Sequence, residues 1–159
     1  MGQQQLLLVI LVTIIVGIAT VVAINTFGSA ADAANIDSVR NDVLAIASSA
    51  QGYYMKPAML GGGGRTFTGL TFNELAFPAN GISADGLTAQ NENGRYVLAV
   101  AGGGAEFTVT AHPASDAAYV PGAVDANGVL TGGTAAASVG TATVTPNSST
   151  PLNFGGSGS

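Results

Sequence analysis

The run from Leu6 to Ile24 constrains this chain more than any other stretch. It is almost wholly aliphatic, broken only by Thr13, Gly17 and Thr20 and by small alanines, and no charged side chain occurs before Asp32. As one helix its 19 residues reach about 28 Å, close to the thickness of a bilayer's hydrocarbon core. Apolar residues face every direction, so the segment needs an apolar surrounding on all sides.

The pattern then changes without interruption. There is no proline from Asn25 to Lys56, and Ile36, Val39, Val43, Ile46, Ala50 and Tyr53 follow one another in steps of three and four. That spacing puts them on a single narrow stripe of one helix face. The polar residues Asp32, Asn35, Asp37, Arg40, Asn41 and Asp42 lie off the stripe. Pro57 cannot continue the helix, and Gly61 to Gly64 read as the start of a flexible link that runs to Arg65. The prediction is a helix of about 50 residues, roughly 75–80 Å long. Residues 1–28 form its hydrophobic half. Residues 29–56 form an amphipathic half that packs on a head, residues 57–159, through Ile36, Val39, Val43, Ile46 and Tyr53. The fold class is α+β: a long N-terminal α-helix with a small antiparallel β-sheet head. A compact core does not need such a rod, so the rod is read as an assembly element.

Composition sharpens this. Charged residues make up 8% of the chain, against about 25% in ordinary soluble domains. Such a chain stays dispersed only if lipid or further copies of itself cover its apolar surface. The four basic residues are scattered and the net charge is −5, so no basic patch exists and nucleic acid is not expected as a main partner. Cysteine is absent, which excludes disulfides and thiolate metal sites. No basic residue precedes the apolar run, and the run is longer than a signal's apolar region, so it reads as an anchor or an assembly element rather than a discarded signal.

In the head, Thr66 to Phe77 carries Phe67, Leu70, Phe72, Leu75 and Phe77, which are expected to pack on the helix stripe. Pro78 to Asn93 reads as loop, with Asn80-Gly81 and Asp85-Gly86 as turns. Tyr96–Ala101 and Glu106–Ala111 read as a hairpin around Gly102-Gly103-Gly104, stopped by Pro113. Tyr119–Val124 and Val129–Leu130 flank a turn at Asp125–Gly128, and Thr141–Thr145 reads as the last strand before Pro146 and a Ser/Thr/Gly tail.

Candidate chemistry is sparse. His112, the only histidine, reads as a solvent-exposed loop residue, since no nucleophile or oxyanion arrangement accompanies it. Asp125-x-Asn127-Gly128 lacks the further acid and the terminal Glu of a calcium loop, so it reads as a turn. The glycines at 61–64 have no GxxxxGK[ST] pattern. Phe27, Tyr53 and Tyr54 read as core packing rather than an aromatic relay. Asn147-Ser148-Ser149 matches an N-glycosylation sequon, a triplet common by chance. No catalytic residue, cofactor or metal ligand is assigned, and the chain is not expected to be an enzyme.

Together these features resemble the type IV pilin family, including the pseudopilins of type II secretion. The resemblance covers residues 1 to about 56 well. It extends loosely to TVTAHPA (Thr108 to Ala114) and VDANGVL (Val124 to Leu130). It implies processing by a prepilin peptidase, N-methylation of the new first residue, storage in the cytoplasmic (inner) membrane, and extraction by a pilus assembly machinery. The product is a cell-surface homopolymer whose helices bundle in the filament core. Met1 suits the methylated first position, and Gln5, Leu6, Leu7, Leu8, Ile10, Leu11, Ile14, Ile15, Gly17 and Ile18 suit the assembly segment. The chain departs from the family in two places. Gln5 stands where the family normally has a glutamate that pairs with a neighbour's terminal amine, and the usual proline near position 22 is missing. In a filament, the β-branched residues around Gly17 predict a loss of regular helical bonding between Thr13 and Ile24. The alternatives are a pseudopilin, an archaeal-type pilin, or a single-pass membrane protein presenting a small binding domain.

Overall fold

The computed structural model describes residues 2–134, 140–149, 153 and 154. Met1 and most of the Ser/Thr/Gly tail lie outside them. A single helix, α1, spans Gly2–Met55, as the absence of any proline before Pro57 allows. The chain divides into two units, Met1–Ala34 and Asn35–Ser159. The division falls within the helix rather than at its end, because side chains from Asn35 onward are tied to the residues that follow the helix.

In the second unit the stripe on α1 enters the core. Val39, Val43, Ile46 and Ala50 are buried, and Tyr53 packs against them. Ile36 is only half-buried. Ala47, which the spacing did not single out, is buried beside them. Each of the larger aliphatic residues contributes about 1.5–3 kcal/mol on leaving water.

The sheet has six strands: β1 (Gly81–Ile82), β2 (Thr88–Gln90), β3 (Gly94–Val100), β4 (Phe107–Pro113), β7 (Gly140–Val144) and β8 (Asn153–Phe154), side by side in that order. Between β4 and β7 a separate hairpin forms from β5 (Ala123–Val124) and β6 (Leu130–Thr131). All pairings between these strands are antiparallel. The register places Tyr96 opposite Ala111, Leu98 opposite Val109, and Val109 in turn opposite Ala142. Those residues share one buried face with Phe107 and Val144, as period-two alternation requires. The aromatic residues of the 66–77 stretch complete the core, through ring contacts from Tyr54 to Phe67 (5.0 Å), Phe67 to Phe107 (4.9 Å) and Phe77 to Tyr96 (5.2 Å).

The α+β class with a long helix and a sheet-bearing head is therefore the observed architecture. Four local expectations need correction. The 78–93 stretch, read as loop, contains β1 and β2, whose two and three residues are too few to show periodicity. β7 is not the last strand, since β8 pairs with it beyond Pro146. β4 runs through His112 to Pro113, so Pro113 closes the strand instead of stopping it earlier.

The fourth correction concerns Gly61–Arg65, which is no flexible link. After a 3₁₀ turn at Ala58–Leu60, the N–H groups of Gly63, Gly64 and Arg65 donate to the carbonyls of Tyr53, Lys56 and Tyr54 at 2.9, 3.0 and 3.0 Å. These bonds satisfy carbonyls that the end of α1 leaves open. Gly63 is required for the approach. A Cβ there would overlap the Thr66 carbonyl oxygen and lie 2.8 Å from Tyr53 Cε1.

Candidate assembly surface and its anchorage

Within residues 2–34 every described side chain is exposed. The large aliphatic residues from Leu6 to Ile24 range from 48% exposed at Val12 to 70% at Leu7. Leu6, Leu7, Leu8, Ile10, Leu11, Ile14, Ile15 and Ile18 all belong to this set and lie on all sides of the helix. By length and composition, this is one helix able to cross a membrane. Gln5 sits in its second turn and supplies an uncharged amide. Met1 lies outside the described residues.

The β-branched run does not interrupt α1 in the single chain. Thr13 Oγ1 donates to the Ile10 carbonyl at 2.8 Å, and Thr20 Oγ1 to the Val16 carbonyl at 2.8 Å. Thr26 and Ser29 do the same toward Val22 and Asn25. The hydroxyls thus find partners along the helix without needing water, the arrangement an apolar surrounding demands. At Gly17 a Cβ would meet nothing within 4 Å, so glycine is not there to make room within the single chain.

From Asn35 onward α1 is anchored by polar bonds that the stripe did not reveal. Asp42 Oδ2 accepts hydrogen bonds from Tyr96 Oη at 2.6 Å and from Nδ2 of both Asn91 and Asn93 at 2.8 Å. Tyr96 is fully buried. Burial, and after it the bond to the Asp42 carboxylate, pushes its phenol far above the ordinary tyrosine range. One turn and more before Asp42, Asn35 Nδ2 donates to the Asn93 carbonyl at 3.0 Å, and Asn35 Oδ1 accepts from the Ser115 N–H at 3.2 Å. Toward the helix end, Gln51 Nε2 donates to the Thr145 carbonyl at 3.3 Å. Asn35 and Asp42, read as lying off the packed face, therefore flank it and hold it. A signal existed: Asn35, Val39, Asp42 and Ile46 are spaced four, three and four apart, which keeps the polar pair at the border of the buried stripe.

Of the remaining candidates for chemistry, Tyr53 and Tyr54 pack against the head's core, whereas Phe27 is 78% exposed, which corrects its reading as core packing. His112 is buried on β4 opposite Arg95, which corrects the reading of an exposed loop residue; the strand's extension to Pro113 carries it inside. Asp125 Oδ1 accepts the N–H groups of Asn127 and Val129, each at 2.8 Å, and so closes the β5–β6 turn. Among the described residues no group of three or more His, Asp or Glu side chains is placed to hold a metal ion. Asn147 is exposed, in a turn where the Thr145 N–H donates to the Ser148 carbonyl at 2.8 Å. Gln90, whose role was not legible, clamps the 122 loop: its Oε1 accepts from the Gly122 N–H at 2.8 Å and its Nε2 donates to the Gly122 carbonyl at 3.3 Å.

No protein-family model matches the chain, and comparison with curated proteins and with solved structures gives no significant match either.

Proposed function

We propose that the protein is the structural subunit of an extracellular helical filament, a type IV pilin-like homopolymer assembled through the first half of α1. The observation that carries this reading is the all-round exposure of the aliphatic residues from Leu6 to Ile24. About a dozen such side chains, at about 1.5–3 kcal/mol each, make a free monomer in water untenable. Two surroundings satisfy them: a bilayer, which the segment is long enough to span, and a bundle of identical segments. Moving between the two changes the burial term little, so packing between helices must hold the product and an outside motor must extract the subunit. The subunit therefore rests in the cytoplasmic membrane before assembly and at the cell surface afterwards. The prepilin peptidase and the assembly machinery act between those states.

The head suits a filament exterior. Its core is closed by its own strands and by the second half of α1, so it needs no further partner to fold. Electron microscopy of fibres sheared from cells, with helical reconstruction, tests the proposal. It expects residues 1 to about 50 at the centre and the sheet on the outside. Fibres with the sheet at their centre, or cells that make the protein yet shed no fibres built from it, would contradict it.

A further inference from the structure

The head itself has two unlike ends. At the C-terminal end of α1, Met55, Met59 and Leu60 are 74%, 97% and 67% exposed. Large apolar side chains this open mark an interaction surface. Lys56 and Arg65 are exposed among them. Arg65 alone among the described non-glycine residues has a positive φ, 73°. The bond from its N–H to the Tyr54 carbonyl fixes it there. Holding a non-glycine residue in this region costs about 1–3 kcal/mol, and such strain gathers at functional positions. Arg65 lines a cavity of about 340 Å³ with Tyr54, Met55, Pro146 and Asn147. The β3–β4 turn, whose Gly104 carbonyl accepts the Phe67 N–H at 2.8 Å, carries the carboxylate of Glu106 toward this end, against the two cations Lys56 and Arg65.

The opposite end lies about 30 Å away along α1, the length of the helix from Asn35 to Met55. Asn35 ties down both the 91–93 turn and Ser115 there. Glu92 stands exposed in that turn, and the loop after Ser115 exposes Ala117, Ala118, Val120 and Pro121 beside Asp116. Of the cations here, Arg40 pairs with Asp37 at 2.9 Å, and Arg95, which keeps its charge, donates to the neutral Gly132 carbonyl at 3.2 Å, against the carboxylates of Asp42, Glu92 and Asp116. The balance here is negative, and the apolar side chains are small where those of the first end are large.

We infer that the basic, methionine-rich end of one head docks on the acidic 91–93 and 115–121 end of the next copy, with Arg65 meeting Glu92. The two patches differ and sit at opposite ends, so the contact is heterologous and propagates as an open row instead of closing a dimer. This inference rests on the filament reading and adds a second, head-to-head interface to it. The charges fix register and partner choice, while the methionines adapt to the small side chains opposite.

The absence of cysteine makes the test clean. Arg65→Cys and Glu92→Cys are introduced separately and together into the full chain. Intact cell-surface material is treated with a short bifunctional maleimide and resolved by denaturing electrophoresis. The double variant should give a ladder of dimers, trimers and higher species, and each single variant dimers at most. In filaments without cysteines, Arg65→Glu should weaken resistance to shear and salt, and Glu92→Arg in the same chain should restore it. Filaments visible by electron microscopy in a double variant that stops at dimers would overturn this interface and leave the filament reading standing. Absence of filaments from the unsubstituted chain would overturn both.

Discussion

Replacing Asp42 with alanine is the sharpest test of how α1 is held to the sheet. Three donors converge on one carboxylate oxygen. Of these, only the Tyr96 hydroxyl belongs to a fully buried side chain, while Asn91 and Asn93 are half-buried. Stranding a buried hydroxyl costs about 1–3 kcal/mol, and an amide that water can reach costs about 0.5–1 kcal/mol. Asp42→Ala should therefore destabilise the head by about 2–5 kcal/mol. Tyr96→Phe should cost about 1 kcal/mol, because Asp42 keeps its two amide donors. The pair should couple: Asp42→Ala with Tyr96→Phe should cost less than the two changes added, by about 1–2 kcal/mol, since the phenylalanine leaves no stranded hydroxyl. Urea denaturation of the chain lacking residues 1–28 measures all three. A cost below about 0.5 kcal/mol for Asp42→Ala, or strict additivity within the usual scatter of additive pairs, would refute the hub.

Other consequences follow from the same geometry. The Tyr96 phenol has a folded pKa raised above its unfolded value near 10. Its contribution is therefore complete below about pH 10 and is lost as pH rises toward the folded value, so alkaline unfolding should be shallower in Tyr96→Phe. Asp85 runs the other way: the Ser83 hydroxyl and then the Leu87 N–H hold its carboxyl below the ordinary range. Its contribution is present above about pH 4 and fades as pH falls, and NMR titration of Ser83→Ala should show the Asp85 pKa rising. Gly63→Ala should destabilise the head by about 1–3 kcal/mol in urea melts, because its Cβ has no room. Gly17→Ala should be tolerated in the single chain, where a Cβ meets nothing within 4 Å, and should favour continuous helix by about 1 kcal/mol. Helical reconstruction of wild-type filaments should show bonding lost between Thr13 and Ile24; unbroken helical bonding from Leu11 through Thr26 would contradict that.

The long helix and the central hairpin were legible because their patterns are long. Residues spaced three and four apart from Val39 to Ala50, and the alternation of Phe107, Val109 and Ala111, each repeat often enough to define a face. Strands β1 and β8 were not legible because two residues have no period. The Gly61–Arg65 cap was misread as a link because glycine permits both disorder and close approach, and sequence does not distinguish them. The spacing places Asp42 off the apolar stripe and says nothing of its partners. Its donors come from residues 91–96, about 50 positions away, and only the folded register brings them together. The large aliphatic side chains from Leu6 to Ile24 are exposed, so the role of this segment is read from its exposure and chemistry alone.

Deletion of residues 1–28 tests the central claim most directly. The full chain and the truncated chain are produced in the same cells, and sheared surface material and soluble fractions are imaged by negative-stain electron microscopy. The account predicts filaments from the full chain and a soluble, folded monomer from the truncated one, because removal of the aliphatic half leaves the head's own core untouched. Filaments formed by the truncated chain would contradict it.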